Sequence, residues 1–490
     1  MPLYRSASSL SFAEPRQRSL LEDWVDRSLS EGLSAARDRD GSVLHLSAKK
    51  VDWELPLGAF DSSVSDAFFF GGRDRVVVGV GVSKVLEPGA SRRKGSQTRG
   101  NLLGKEALST VDASKIIVMG GWGFPRAIGP NGVGIWRDFP PSRWIVPALT
   151  LASEGGETHL ALAVHLRPSS RLAPLRQLYR ALLKALELRA TDGAGRSDGT
   201  MGSLPELESS RSIPSQQSWL SLAQDAIDSI SRDELKKVVL SRAVALSFRS
   251  KVAVSAVLRR LIALNPDTTV FAIKSRGSVF LGATPESLMS VRKGEVEVEC
   301  VAASAPRSED TTTDESFGAR LLRDPKSRRE HQFVVQAAVS TLTPISSRIE
   351  VPDAPVLKKL TTIHHLYTPV RAKLLDGEDV WAAALALWPN PAVGGEPKEK
   401  AVGWIRKFER FNRGWYSGVV GLLNARLDEA DLVVGIRSGV IKGRQAVIYA
   451  GAGLVAGSEP SEEFEETSWK LKTMRSALGI NAEVDVGRGG

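Results

Sequence analysis

Glu463, Glu466 and Lys470 stand at i, i+3 and i+7, so on a helix one face would present two carboxylates and an ammonium. A solvated charged face has the same spacing, but the glycine-rich backbone just upstream, Gly451-Ala452-Gly453, adds N–H donors for an anion. Arg437 follows the apolar run Val433-Val434-Gly435-Ile436, which implies a buried setting, and a buried guanidinium needs an anionic partner. Lys237 opens the run KVVLSRAVALSF and shares a strand face with Val239, Ser241, Ala243 and Ala245, small residues that leave room beside the amine. These groups suit the capture of a small anion, and a lysine or glutamate of shifted pKa could move a proton there.

The elements that must position these residues are legible in outline. Ser215 caps a helix over about 216–231, whose apolar residues from Trp219 to Ile230 share one face. Alternating strands follow at 237–248, 268–275, 278–291 and 295–302, the last two joined by the turn RKGE. Helical patterns cover 314–342, 379–387 and 460–478, with strand patterns at 416–427, 432–442 and 445–456. Residues 191–215, rich in Gly, Ser, Pro and Asp, read as a flexible linker between an N-terminal portion, 1–190, and a C-terminal portion, 216–490. Strand groups with helices between them indicate an α+β protein.

The bulk composition excludes several classes. The 490 residues are 42% hydrophobic and 25% charged, and no apolar run nears the ~18 residues a membrane span requires. The net charge of +9 is spread without a nucleic-acid recognition module, so it suits steering of an anionic small molecule and no nucleic-acid partner. Cys300 is the single cysteine, which fits a reducing compartment, and the N-terminus lacks a secretory pattern. A cytoplasmic monomer or homodimer is the expectation.

Six segments in order resemble the chorismate-utilising enzyme family: KVVLSR at 237–242, FLGATPE at 280–286, EH at 330–331, HHLYT at 364–368, RGWYSGVVG at 413–421, and IRSGVI…YAGAGLVAGSEPSEEFEETSWK at 436–470. The resemblance covers 217–478, with a fainter match in the N-terminal portion. It implies one large catalytic unit, an antiparallel β-rich core with helices packed outside. It also implies Mg²⁺ held by Glu330, Glu463 and Glu466, whose hard oxygens suit that ion. Arg437, Tyr416 and the Gly451, Ala452 and Gly453 backbone would take the side-chain carboxylate of chorismate, with Lys470 nearby. Lys237 corresponds to the general base and Glu286 to the general acid. The amine must then be lowered from its free pKa of about 10.4 and the carboxyl raised.

Within the family, Lys237 stands where ammonia-using members carry glutamine, and Ala302 stands where aminodeoxychorismate synthases place a nucleophilic lysine. Both point to water as the nucleophile. LWPNPAVGGEP at 387–397, GGWGFP at 120–125 and IWRDFPPSRWIVP at 135–147 resemble isochorismate synthases, so isochorismate formation from chorismate is the expected reaction. Salicylate synthase, which also eliminates pyruvate, is the alternative. An anthranilate synthase large subunit and a non-catalytic chorismate binder are the remaining readings. His365, with His364 as its neighbour, would sit near the leaving C4 oxygen or the carboxylate, and Asn390 near the substrate. Four positions depart from the family pattern. Trp388 and Asn390 replace His and Thr, with Trp388 expected to reshape the pocket wall; Ala303 replaces a glycine; Ser287 replaces a common arginine.

Overall fold

Alternating apolar positions fold into two almost wholly antiparallel sheets that face one another, as period-two patterns with one buried face must. The computed structural model describes residues 15–38, 43–51, 56–72, 75–86, 107–108, 116–125, 134–187, 204–360 and 363–480. Among these, one sheet has thirteen strands and the other ten. In the first, Lys237–Phe248 lies beside Gln445–Leu454, and the sheet continues through Ser438–Lys442, Ser278–Thr284 and Thr269–Ser275 to Asp66–Gly71. In the second, Ile363–Leu374, Glu295–Pro306, Ser287–Arg292, Ala430–Val434, Val419–Asn424 and Ile117–Trp122 follow in that order.

Phe68, Phe271 and Phe280 of the first sheet meet Met119, Val420 and Val433 of the second in a shared core. On the opposite face of the first sheet, residues such as Leu246, Leu281 and Ile448 pack with the helices Pro15–Asp38, Leu172–Glu187, Val254–Leu264 and Pro460–Ala477. A further core joins Met289 and Leu432 of the second sheet to the helices Gln216–Ser231, Pro325–Leu342 and Val380–Leu387. The expected α+β arrangement, a β-rich core with helices outside, is therefore the one observed. Segments before residue 190 pair directly with segments after 216 in both sheets, so the two portions build one body. Among the described residues no helix is long and apolar enough to cross a membrane.

Three sequence expectations change. Residues 188–203 lie outside the described set, but Leu207–Ile213, read as linker, is a strand paired with Ala243–Phe248. Its side chains are mostly exposed, so main-chain hydrogen bonds hold this edge and no apolar alternation betrays it. The helical run 314–342 is two helices, Thr311–Arg323 and Pro325–Leu342, broken where Asp324 caps the second and Pro325 starts it. The runs 278–291 and 432–442 each divide and pass from one sheet to the other, at Pro285-Glu286 and at 435–437. The two crossings lie side by side: Ala283 N–H donates to the Arg437 carbonyl at 3.2 Å and Val434 N–H to the Glu286 carbonyl at 3.0 Å.

Candidate active site

The paired crossings bring Glu286 and Arg437 to one seam between the sheets. Arg437 holds a φ of +50°, a left-handed conformation that an L side chain keeps only where its surroundings impose it. Lys237, at the start of its strand, reaches across the neighbouring strand over Gly453. A Cβ at Gly453 would stand 2.9 Å from Lys237 Cε and 3.4 Å from Nζ. Burial lowers the Lys237 amine from its usual range; Glu286 opposes this, Lys470 adds to it, and Glu466 and Glu396 oppose it again. Burial pushes the Glu286 carboxyl up, against the Asn390 amide, which donates to Oε1 at 2.6 Å, and against Lys237 and Lys470. A depressed amine and an elevated carboxyl thus share one electrostatic neighbourhood, which is the pattern that separates a base from an acid at neutral pH.

A buried ion pair fixes the segments that carry these groups. Arg413 donates Nε to Glu409 Oε1 at 2.7 Å and Nη2 to Oε2 at 2.6 Å, with both side chains 2% exposed. The same guanidinium donates to the carbonyls of Val393 at 2.9 Å and Val239 at 2.7 Å, and lies 4.3 Å from the centre of the Phe124 ring. Glu409 Oε2 also accepts the Ser241 N–H at 3.1 Å. The Lys237 strand, the Asn390 loop and the Tyr416 turn are therefore joined at one fully satisfied node. The sequence offered Arg413 only as part of RGWYSG, and its partner Glu409 showed itself only by i, i+4 spacing. Arg242, which interrupts the apolar face of its strand, donates to Thr467 at 2.6 Å and Ser468 at 2.7 Å and so ties that strand to the C-terminal helix.

Tyr416 is buried and stacked on Tyr449, ring centres 5.1 Å apart, while Tyr449 accepts the Trp136 indole N–H at 2.7 Å. Burial raises the Tyr416 phenol and lowers the Arg437 guanidinium, and Tyr416 and Glu466 are the groups whose fields act on Arg437. Among the described residues Arg437 makes no ion pair and no side-chain hydrogen bond, which suits a waiting anion receptor. Gly451, Ala452 and Gly453 form the end of a strand, as the strand pattern over 445–456 implies, in register with Ser241, Leu240 and Val239. Ser241 N–H points away from that strand to Glu409, so ladder alternation bonds Leu240 with Ala452 and turns the Gly451 and Gly453 polar groups to the opposite edge. The next strand pairs only up to Ile448, which leaves that edge open. Lys470 Nζ donates to the Gly451 carbonyl there at 2.9 Å and ion-pairs with Glu466.

Glu463 and Glu466 face one another one turn apart on the helix Pro460–Ala477. Burial raises the Glu463 carboxyl, the Ser458 hydroxyl opposes this at 2.7 Å, and Glu466 raises it further. Glu463 Oε2 is buried and accepts no hydrogen bond from the described residues. Two crowded carboxylates with an unused oxygen fit a hard divalent cation. Glu330 does not join them: it is exposed on Pro325–Leu342, and among the described residues no group of three acidic, His or Cys side chains is gathered as a metal site. Its helix packs on the strands Glu295–Pro306 and Ile363–Leu374, which belong to the second sheet.

The remaining predicted residues lie on those two strands. His365 Nδ1 is 2.8 Å from the Ser304 hydroxyl, and burial lowers its imidazole. His364 points to the other face, where Nε2 meets Asp314 Oδ1 at 2.8 Å, so it is a buried structural group. Ala302 precedes a bulge at which Ala303 takes a φ of +57°, the reason a glycine suits that position. No hydrogen bond or ion pair among the described residues links Ala302 or His365 to Lys237 or Glu286. Trp388 does not reshape a pocket wall. Its indole donates to the Ser417 carbonyl at 2.9 Å and its rings pack on Trp122 and Phe124, so it is core.

A model of the family described as chorismate binding enzyme matches residues 31–479. The salicylate biosynthesis isochorismate synthase of Pseudomonas aeruginosa is 34% identical over 352 residues, covering 71% of this chain and 72% of the relative. The isochorismate synthase MenF of Bacillus subtilis is 33% identical over 344 residues, 70% of this chain and 71% of the relative. The solved structure of MenF, the menaquinone-specific isochorismate synthase of Escherichia coli, superposes over 92% of this chain and 99% of its own with a TM-score of 0.72 at 23% identity. Anthranilate synthase component I of Streptococcus pneumoniae shares the fold over 88% of this chain and 92% of its own, TM-score 0.62 at 19% identity.

Proposed function

This chain belongs to the chorismate binding enzyme family, and on that premise we propose that it is an isochorismate synthase, an isomerase converting chorismate to isochorismate. The observation that carries the reading is the opposed pair: a lysine held below its usual pKa and a glutamate held above it, each within reach of the other's charge. Lys237 removes a proton from water as the oxygen attacks ring carbon C2. The ring double bonds shift, the C4–O bond breaks, and Glu286 gives its proton to the departing hydroxyl, which leaves as water. Every atom of the added water is matched by the water lost, so the product is an isomer.

Arg437, Tyr416 and the open backbone edge at Gly451 and Gly453 receive one carboxylate of the dianion and hold the ring in line with the base and the acid. Glu463 and Glu466 would hold Mg²⁺, which supplies charge neutralisation for the other carboxylate when bound. Asn390 holds Glu286 by one oxygen and leaves the other for the substrate. The fold is shared with an ammonia-using enzyme, so the choice of water rests on Lys237 and Ala302 and not on architecture. Mg²⁺ as the metal, the cytoplasm as the compartment and a monomer or homodimer as the working unit belong to the same proposal.

Product analysis tests it. Purified protein with chorismate and Mg²⁺ is expected to yield isochorismate, without pyruvate and without an aminated product when ammonium is added. Pyruvate release would make it a salicylate synthase, an aminated product would make it ammonia-using, and no turnover would leave a binder.

A further inference from the structure

A cavity of about 370 Å³ lies at the far end of the strands that carry Glu286 and Arg437, within the size range of small-molecule sites. It opens between the loop after Phe60, the start of the helix Val254–Leu264 and the turn at Arg276-Gly277. The strand Ser278–Thr284 runs from this cavity toward Glu286, which at about 3.3 Å per residue puts the two roughly 20 Å apart. The wall combines the cations Lys251, Lys274 and Arg276 with the apolar side chains of Phe60, Val64 and Val252.

Lys274 is 5% exposed. Its ammonium donates to the carbonyls of Phe60 at 3.1 Å and Ser62 at 2.7 Å, so one of its three donors is unused. Among the described residues no carboxylate pairs with it directly. Asp61 and Asp66 are the acids whose fields reach it, and both are committed. Asp61 accepts the Val254 and Ser255 N–H groups at 2.8 and 3.2 Å. Asp66 ion-pairs with the Arg143 guanidinium at 2.7 Å and accepts the Ser65 hydroxyl at 2.6 Å. Asp138, whose field Arg276 shares, is held by Lys442 at 2.7 Å and Ser278 at 2.6 Å. The cavity wall therefore carries excess positive charge around a buried ammonium, an arrangement that costs stability unless an anion completes it.

We infer that this cavity binds a small organic carboxylate, its charged end at Lys274 between Lys251 and Arg276 and its apolar body against Phe60, Val64 and Val252. The site is separate from the one that receives chorismate. The probe is benzoate, with benzyl alcohol as its uncharged counterpart and inorganic phosphate as an anion without an apolar body. Calorimetry and hydrogen-exchange mass spectrometry are run on the full chain. Benzoate is expected to saturate and to slow exchange in 60–66, 251–258 and 274–279, while benzyl alcohol and phosphate do neither. The Lys251→Ser/Arg276→Ser variant, altered at two exposed side chains, should weaken benzoate about tenfold or more and keep chorismate turnover. Lys274→Met should abolish the protection; if that variant fails to fold, the double variant decides. Equal affinity in the double variant, protection confined to 390–396 and 449–454, or phosphate binding as tightly as benzoate would each overturn the inference. None of those outcomes bears on the conversion of chorismate, which is assayed separately.

Discussion

Around Lys237 every supporting segment is tied to another by the protein itself. Arg413 and Glu409 satisfy one another and three backbone groups, Asn390 holds Glu286, and Tyr416 rests on Tyr449. Around Glu463 the arrangement is reversed: two carboxylates crowd together, one oxygen has no donor, and Glu330 stands apart on another helix. The proton-transferring half is preorganised without a ligand, whereas the acidic half is self-repelling and becomes favourable only with a cation. Preorganisation lowers the cost of reaching the transition state, while an incomplete cation site lets metal and substrate assemble together.

The largest test of this contrast is removal of the base. Lys237→Ala should lower kcat by at least ~10²-fold in a chorismate turnover assay with the melting temperature little changed, and near-normal turnover would strip Lys237 of its role. Next is the node beneath it. Arg413→Met leaves Glu409 buried and unpaired, and should cost about 3–5 kcal/mol in urea unfolding. The acidic half should respond in the opposite sense. Glu463→Gln relieves crowding, so without metal the protein should melt at the same temperature or slightly higher, while the Mg²⁺ concentration for half-maximal activity rises roughly tenfold. A lower melting temperature in metal-free buffer would erase the contrast.

The smallest effect concerns pH. Catalysis requires neutral Lys237 and protonated Glu286, so kcat/KM should be bell-shaped, one limb set by each group. The Asn390 amide stabilises the ionised form of Glu286 and lowers its pKa. Asn390→Ala should therefore move the limb set by Glu286 to higher pH, by about one unit or less, as read from the pH profile. A limb that stays in place would remove Glu286 as the group seen in that profile.

Local pattern revealed what local physics determines. The helix Gln216–Ser231 with its Ser215 cap, the strand Lys237–Phe248 and the turn at Lys293-Gly294 follow from period, capping and turn chemistry within a few residues. The site residues were named by family resemblance, and their gathering is non-local: Asn390 and Glu286 are 104 positions apart, Glu409 and Ser241 168. No periodicity announces such pairs. The passage of 278–291 between sheets was hidden because both halves alternate alike, and only Pro285, which lacks a ladder donor, marked the break. Leu207–Ile213 was hidden because an exposed edge needs no apolar code. Trp388 read as a change in the pocket because sequence shows a larger side chain but not the direction in which it points.

At Gly453 the missing side chain has a consequence of its own. The volume that one methyl group would fill is the volume through which the Lys237 stem passes, so alanine there would push the amine sideways without touching its charge or its partners. The trajectory of proton transfer is thereby set by a vacancy in the neighbouring strand, and a single carbon atom suffices to retune it.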